Sequence, residues 1–238
     1  MKRINEIIAD LKNRYRNDDF FSNFAASCRI SPDKRKQYQI YNKALMTLDD
    51  GSWQILKEKS LKHYRDHREG QRKQGFFNQL NEAFAYKYLT NKGFKNIRFI
   101  KEDKKKRPDI EYMLEGAKFY CEVKTLGISN DEISRRGSGS VYDGKVYNSL
   151  GEGFLNKFQK AVESAWTQIK ELGPEGLVYI LMRFDDIALD HYQSYRKQLI
   201  IFSKRQGFKN LYIKIGITGK KRIFITRAFS GSQEPCVH

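Results

Sequence analysis

Two carboxylates and an ammonium stand close together in the segment RPDIEYMLEGAKFYCEVKTL, residues 107–126. Asp109 is its first acid, twelve residues separate it from Glu122, and Lys124 follows two positions on. In a strand, alternate side chains share a face. Tyr120, Glu122 and Lys124 therefore lie on one face, and Phe119, Cys121 and Val123 on the other. A tight turn at Glu115-Gly116 would fold Asp109 back toward Glu122. Such a trio suits phosphodiester hydrolysis. Paired carboxylates hold Mg²⁺, or Mn²⁺ in its place, through oxygen, with water and substrate completing the shell. The cation polarises a phosphoryl oxygen and lowers the pKa of bound water. A neighbouring lysine orients that water or stabilises charge in the transition state. Without a cation the two acids repel, and one tends to keep its proton. The competing reading is structural: Glu122 and Lys124 as charges guarding an edge strand, and Asp109 as a turn residue after Pro108. The apolar run from Phe119 to Leu126 reads as a central strand, which favours the chemical reading.

Other chemistry has less behind it. His63 and His67 share a helix face in HYRDH, but no third ligand accompanies them and Arg65 and Arg68 flank them, so a solvated basic face is the better account. Glu111 shares a face with Asp109 and reads better as a surface strand charge. No Ser-His-Asp or Cys-His set stands out. Gly137-Ser138-Gly139 lacks the lysine and preceding strand of a phosphate loop.

The elements that must position the trio follow from periodicity. Phe77, Leu80, Phe84, Tyr88 and Leu89 form a helical stripe that stops at Gly93. A strand is expected over residues 96–100, a basic loop over 104–107, and two hairpin strands over 109–114 and 118–126. Residues 127–153 are rich in Gly, Ser and Asn and read as a long loop, a length often functional. A helix over 154–172, a buried strand over 177–182, a helix over 187–206 and a closing hairpin (211–217 and 222–226, across Gly219) complete the chain. Strands flanked by helices on a mixed sheet are the economical packing, so the class is α/β. Residues 1–75 read as a basic helical extension without a separate core, ahead of a main domain over 76–238. Ile4, Ile7, Ile8 and Leu11 mark its first helix, Ser31-Pro32-Asp33 a helix start, and Asp49-Asp50-Gly51 a break.

The charge balance narrows the partners. Lys and Arg number 45 against 28 Asp and Glu among 238 residues, a net of +17. Polyanions suit such a surface, and nucleic acid is the expected partner. No apolar run approaches the roughly 20 residues of a membrane span, and no basic amphipathic helix fits a lipid surface. Three cysteines at wide spacing form neither a disulfide framework nor a zinc pattern, so a reducing, cytoplasmic setting is expected.

Pro108-Asp109, the twelve-residue interval and Glu122-Val123-Lys124 together resemble the PD-(D/E)xK nuclease superfamily. That family includes many restriction endonucleases, archaeal-type Holliday junction resolvases and RecB-like exonuclease domains. The resemblance covers about residues 76–182. It implies a restriction endonuclease-like core, a mixed four-stranded sheet flanked by helices in the order α-β-β-β-α-β, here with a C-terminal α-β-β elaboration. It implies that Asp109, Glu122 and the Val123 carbonyl ligate a metal and that Lys124 is the motif lysine. Many members carry a further acid on the helix before the first strand, which corresponds to Glu82. Many carry a Gln or Lys on the helix after the motif strand, for which Gln168 is the nearest match, ahead of Lys160 and Gln159. Pro32-Asp33 offers the same dipeptide without strand or partner motif.

The expectation is a Mg²⁺-dependent deoxyribonuclease, an endonuclease acting in restriction, repair or defence by family analogy. Lys104, Lys105, Lys106 and Arg107, beside Asp109, and Arg135 and Arg136, in the long loop, are candidate phosphate contacts; such contacts position a strand without specifying sequence. Two alternatives stay open: a non-catalytic nucleic-acid-binding module on the same fold, and an RNA-directed nuclease. A homodimer would present two sites to a duplex, though no interface is readable.

Overall fold

The computed structural model describes residues 1–67, 72–103, 105–127, 138, 148–183, 191–217 and 222–225. The first four helices are α1 (Lys2–Arg14), α2 (Phe24–Ile30), α3 (Pro32–Leu45) and α4 (Asp50–Lys62). Ile4, Ile7, Ile8 and Leu11 form the buried stripe of α1, as their spacing requires. The Ser31 hydroxyl caps α3 by accepting from the Lys34 amide at 3.2 Å, with Pro32 in the first helical position. Asp49 caps α4 by accepting from the Ser52 amide at 2.8 Å. The break at Asp49-Asp50-Gly51 is thus a helix start.

The remaining elements run α5 (Gln74–Asn91), β1 (Lys95–Phe99), β2 (Ile110–Leu114), β3 (Ala117–Leu126), α6 (Glu152–Lys170), β4 (Gly176–Met182), α7 (Tyr192–Arg205), β5 (Leu211–Ile215) and β6 (Arg222–Ile225). The element order is the expected one. Among the described residues, however, the sheet has six strands in the order β1-β2-β3-β4-β5-β6, not four. The C-terminal strands do not form a separate elaboration, because β5 lies parallel to β4 and continues its apolar face with Leu211, Ile213 and Ile215. β3, β4 and β5 are parallel, and the outer pairs are antiparallel. Among the described residues, no helix is long and apolar enough to cross a membrane.

Two apolar layers cover the sheet. On one face Phe119, Cys121, Val123, Tyr179 and Leu181 pack with α5 and with the apolar sides of α1 to α4 in one continuous cluster. On the other, Leu126, Val178, Ile180 and Met182 pack with α6 and α7. The alternation in β3 divides between these layers, so Glu122 and Lys124 belong to the α6 face.

Two glycines set the geometry of β3. Leu114 pairs with Ala117, leaving Glu115 and Gly116 as a two-residue turn with φ of 50° and 81°. Positive φ at both positions defines the hairpin turn whose twist matches the strands. At the start of β4, a Cβ on Gly176 would lie 2.3 Å from the Tyr120 carbonyl oxygen, so only glycine lets β4 dock against β3 there.

β2 and β3 differ in length. β2 pairs with Ala117 to Cys121, while β3 runs on to Leu126 against β4 alone. From Glu122 onward the β2 side of β3 is an open notch, where α4, α5 and the β1–β2 connection meet.

Candidate active site

Asp109 stands immediately before β2. Its carbonyl accepts from the Ile100 amide at 2.8 Å, which fixes its backbone beside β1. The register pairs Ile110 with Cys121, and one further step sets Asp109 opposite Glu122. Its Oδ2 accepts from the Val123 amide at 2.9 Å. That amide lies where β2 no longer covers β3, so the carboxylate satisfies a donor the sheet leaves over. What Val123 contributes to these contacts is therefore its N–H.

Glu122 and Lys124 stand side by side on β3, with Lys124 Nζ 2.6 Å from Glu122 Oε1. Glu122 is 3% exposed, and its Oε2 is buried without a hydrogen-bond partner among the described residues. An unsatisfied carboxylate oxygen in the interior is costly. Glu82 projects from α5 and is 5% exposed. Its neighbour Asn81 ties the same turn to the notch, donating to Thr125 Oγ1 at 3.0 Å and accepting from the Tyr41 hydroxyl at 2.8 Å.

A residue outside the sequence expectation joins these acids. Lys59 of α4 reaches Glu82 Oε1 and Oε2 at 2.8 and 3.0 Å and Asp109 Oδ1 at 2.7 Å. Glu102 lies 3.7 Å from the same nitrogen and pairs with Lys62 at 2.9 Å. A signal for Lys59 did exist: it sits between Leu56 and Ser60, both fully buried, so a lysine there enters the packed face of an amphipathic helix. Nothing in the spacing of residues 107–126 points to a partner fifty positions upstream.

The electrostatics follow from three carboxylates against two ammoniums. Burial, followed by the negative charge of Asp109, pushes Glu82 up to about 8 despite Lys59. Burial and then Asp109 likewise raise Glu122 well above the carboxylate range, against the pull of Lys124. Burial also acts on Asp109, but Lys59 and the Val123 amide outweigh it, and its pKa is lowered. Lys59 is held protonated: burial opposes its charge, and Asp109 and Glu82 overcome that. The group is thus short of one positive charge, and it compensates by holding protons.

A cleft of about 290 Å³ opens onto this group between α4 and the β1–β2 connection. Lys59, Lys62, Lys105, Lys106, Arg107 and Asp109 contribute to its wall, and Glu82 and Glu122 lie behind that lining. Lys105 and Lys106 are exposed, and Arg107 pairs with Asp103 at 2.7 Å. Gln168 of α6 also lines the cleft, while its amide donates to Ser164 of its own helix at 3.4 Å. The proposed phosphate contacts Lys104, Arg135 and Arg136 lie outside the described residues.

The other candidates are taken up by neighbours. Glu111 pairs with Arg98 at 2.7 Å and Lys118 at 3.4 Å. His67 Nδ1 lies 2.7 Å from the Arg65 carbonyl, and His63 pairs with Asp66 at 2.5 Å. Cys28 and Cys121 are free and buried.

Among the described residues, no group of three or more His, Cys, Asp or Glu is assembled as a metal cage. Asp109 and Glu122 do fit a hard divalent cation of a less demanding kind. Mg²⁺ keeps several waters and is commonly held by one or two carboxylates, and Glu122 Oε2 is a buried oxygen with its lone pairs unused.

Comparison of the chain with protein-family models, with curated proteins and with solved structures gives no match.

Proposed function

We propose that this protein is a metal-dependent nuclease of the PD-(D/E)xK kind that hydrolyses phosphodiester bonds of DNA, as an endonuclease. The observation that carries the reading is the hairpin itself. Asp109 falls opposite Glu122 in the β2–β3 register, and the Lys124 ammonium lies 2.6 Å from the Glu122 carboxylate. The expected α-β-β-β-α-β order, with a parallel strand and then an antiparallel one added to the sheet, is consistent with it.

In this reading Asp109 and Glu122 hold Mg²⁺ through oxygen, with the Val123 carbonyl and Glu82 as further candidates at its shell. The cation supplies phosphoryl polarisation and a more acidic water. Lys124 uses the donors not engaged by Glu122 to orient the attacking water or to neutralise charge on the phosphate. Val123 holds Asp109 in place through its amide. Lys105, Lys106 and Arg107 line the cleft and grip the phosphates on either side. Gln168, on the cleft wall, contacts the strand or helps position Lys124.

The test is cleavage of supercoiled plasmid, linear duplex, branched DNA, single-stranded DNA and RNA, with Mg²⁺, Mn²⁺ or EDTA. Cleavage is expected on DNA, only with metal, and Lys124→Ala is expected to lose about 100-fold or more. Salt-sensitive binding without cleavage of any substrate overturns the enzyme in favour of a binding module. Cleavage confined to RNA overturns the DNA assignment alone.

A further inference from the structure

Lys59 comes from the N-terminal helices, yet its nitrogen contacts both Glu82 and Asp109 and sits where a cation shared by those two acids would sit. Three features bear on why. First, the helix that carries it is fixed: Leu56, Ser60 and Leu61 of α4 are buried, so any movement of the ammonium must come from its own side chain. Second, a lysine has four rotatable side-chain bonds and a compact charge that exchanges partners readily, unlike the planar fork of arginine. Third, a second acceptor stands within reach. Glu102 lies 3.7 Å from Lys59 Nζ, at the mouth of the cleft, and Lys62 and His63 already face it. The Lys59 ammonium thus has one partner set inside the site and another at its rim.

We propose that Lys59 is an internal counter-cation that exchanges with the divalent metal: its ammonium pairs with Glu82 and Asp109 in the metal-free protein and moves toward Glu102 when the metal binds. This rests on the metal-dependent reading above. Lys59 is accordingly a positioning residue for metal loading, not a group that acts on the phosphate. The exchange keeps the acids from facing each other bare, and it sets metal affinity by competition. It also makes Glu102, outside the acid group, a determinant of that affinity.

The experiment is calorimetric titration of Mn²⁺, and separately of Ca²⁺, into the full chain without nucleic acid. Wild type, Lys59→Met, Lys59→Arg and Glu102→Gln are compared, each checked for folding by circular dichroism and thermal melting. Lys59→Met removes the competitor, and affinity is expected to rise about tenfold. Lys59→Arg keeps the charge but grips both carboxylates with a rigid fork, and affinity is expected to fall several-fold. Glu102→Gln removes the rim acceptor, and affinity is expected to fall about twofold to threefold. Should Lys59→Met not fold, the other two variants carry the test, because both retain the ammonium or guanidinium that the acids need. Equal affinity in all four proteins overturns the exchange and leaves the metal site standing, as does weaker binding in Lys59→Met. Absence of binding in every protein, wild type included, overturns the metal site and the exchange with it.

Discussion

Lys73 is buried and Lys59 half-buried, and each is ion-paired across the helical layer or into the sheet. Lys73 precedes α5 and pairs with Asp18, which also accepts from the Tyr64 hydroxyl at 2.7 Å and the Phe20 amide at 3.1 Å. Its nitrogen lies 3.8 Å from the centre of the Tyr64 ring. Charge is balanced there, one to one. Burial raises the Asp18 pKa, but hydrogen bonds from Lys73 and Tyr64 outweigh it, and the net shift is down. Lys59 contacts Glu82 and Asp109 and has Glu102 at 3.7 Å, Glu122 stands beyond Asp109, and the shifts of Glu82 and Glu122 are upward. A balanced pair works as a staple. An unbalanced group keeps an unmet demand for positive charge, and strongly shifted groups of that kind are candidates for function rather than for fastening.

The largest expected difference lies in stability. Asp18→Ala removes the one carboxylate that pairs with Lys73 among the described residues and is expected to cost about 2 kcal/mol in urea denaturation. Glu122→Gln replaces a buried carboxyl whose ionisation burial and Asp109 already disfavour, and in EDTA it is expected to stay within about 1 kcal/mol of wild type. Equal losses at the two sites would erase the distinction between staple and site.

The pH dependence of stability separates the two clusters next. Glu82 titrates near 8 in the folded protein and near 4.5 when unfolded. Between those values the folded state holds the extra proton, so metal-free stability is expected to fall as pH rises from about 4.5 to about 8, by at most about 1.4 kcal/mol per pH unit per proton. Glu122 adds to the same trend from the same lower bound. Glu82→Gln should flatten the slope in denaturation series at pH 5, 6, 7 and 8. Asp18 acts the other way: its contribution is complete above its unfolded pKa near 3.8 and is lost as pH falls through its lower folded value.

The smallest effect belongs to the cleft. Lys106→Ala is expected to weaken duplex binding a few-fold, alike across sequences, and to reduce the slope of log affinity against log salt by about one. Fluorescence anisotropy at several salt concentrations reads both. An unchanged slope removes Lys106 from the phosphate path.

How much of this was legible in the chain depends on sequence distance. Glu115-Gly116 announces its turn because only certain residues tolerate positive φ, and that turn sets the register of Asp109 against Glu122. The alternation in β3 assigns Glu122 and Lys124 to one face because strand geometry has a period of two. The sheet size was underestimated because β5 and β6 read as a hairpin of their own, and parallel pairing with β4 leaves no local signature. Lys59 was missed for the same reason: its partners lie 23 and 50 residues away, and one lysine among 45 basic residues is not distinguished by type. Residues 1–75 showed their helices through periodicity, but not that α4 would deliver a cation into the notch beside β3.

The notch has one more consequence. The Val123 amide donates to the Asp109 carboxylate, just past the end of the pairing between β2 and β3. Its proton therefore senses the electron density on that carboxylate more directly than any ladder amide does. In a ¹H–¹⁵N spectrum the Val123 cross-peak is a built-in observer of the centre, one that follows any change at the Asp109 carboxylate without a substrate or a mutation.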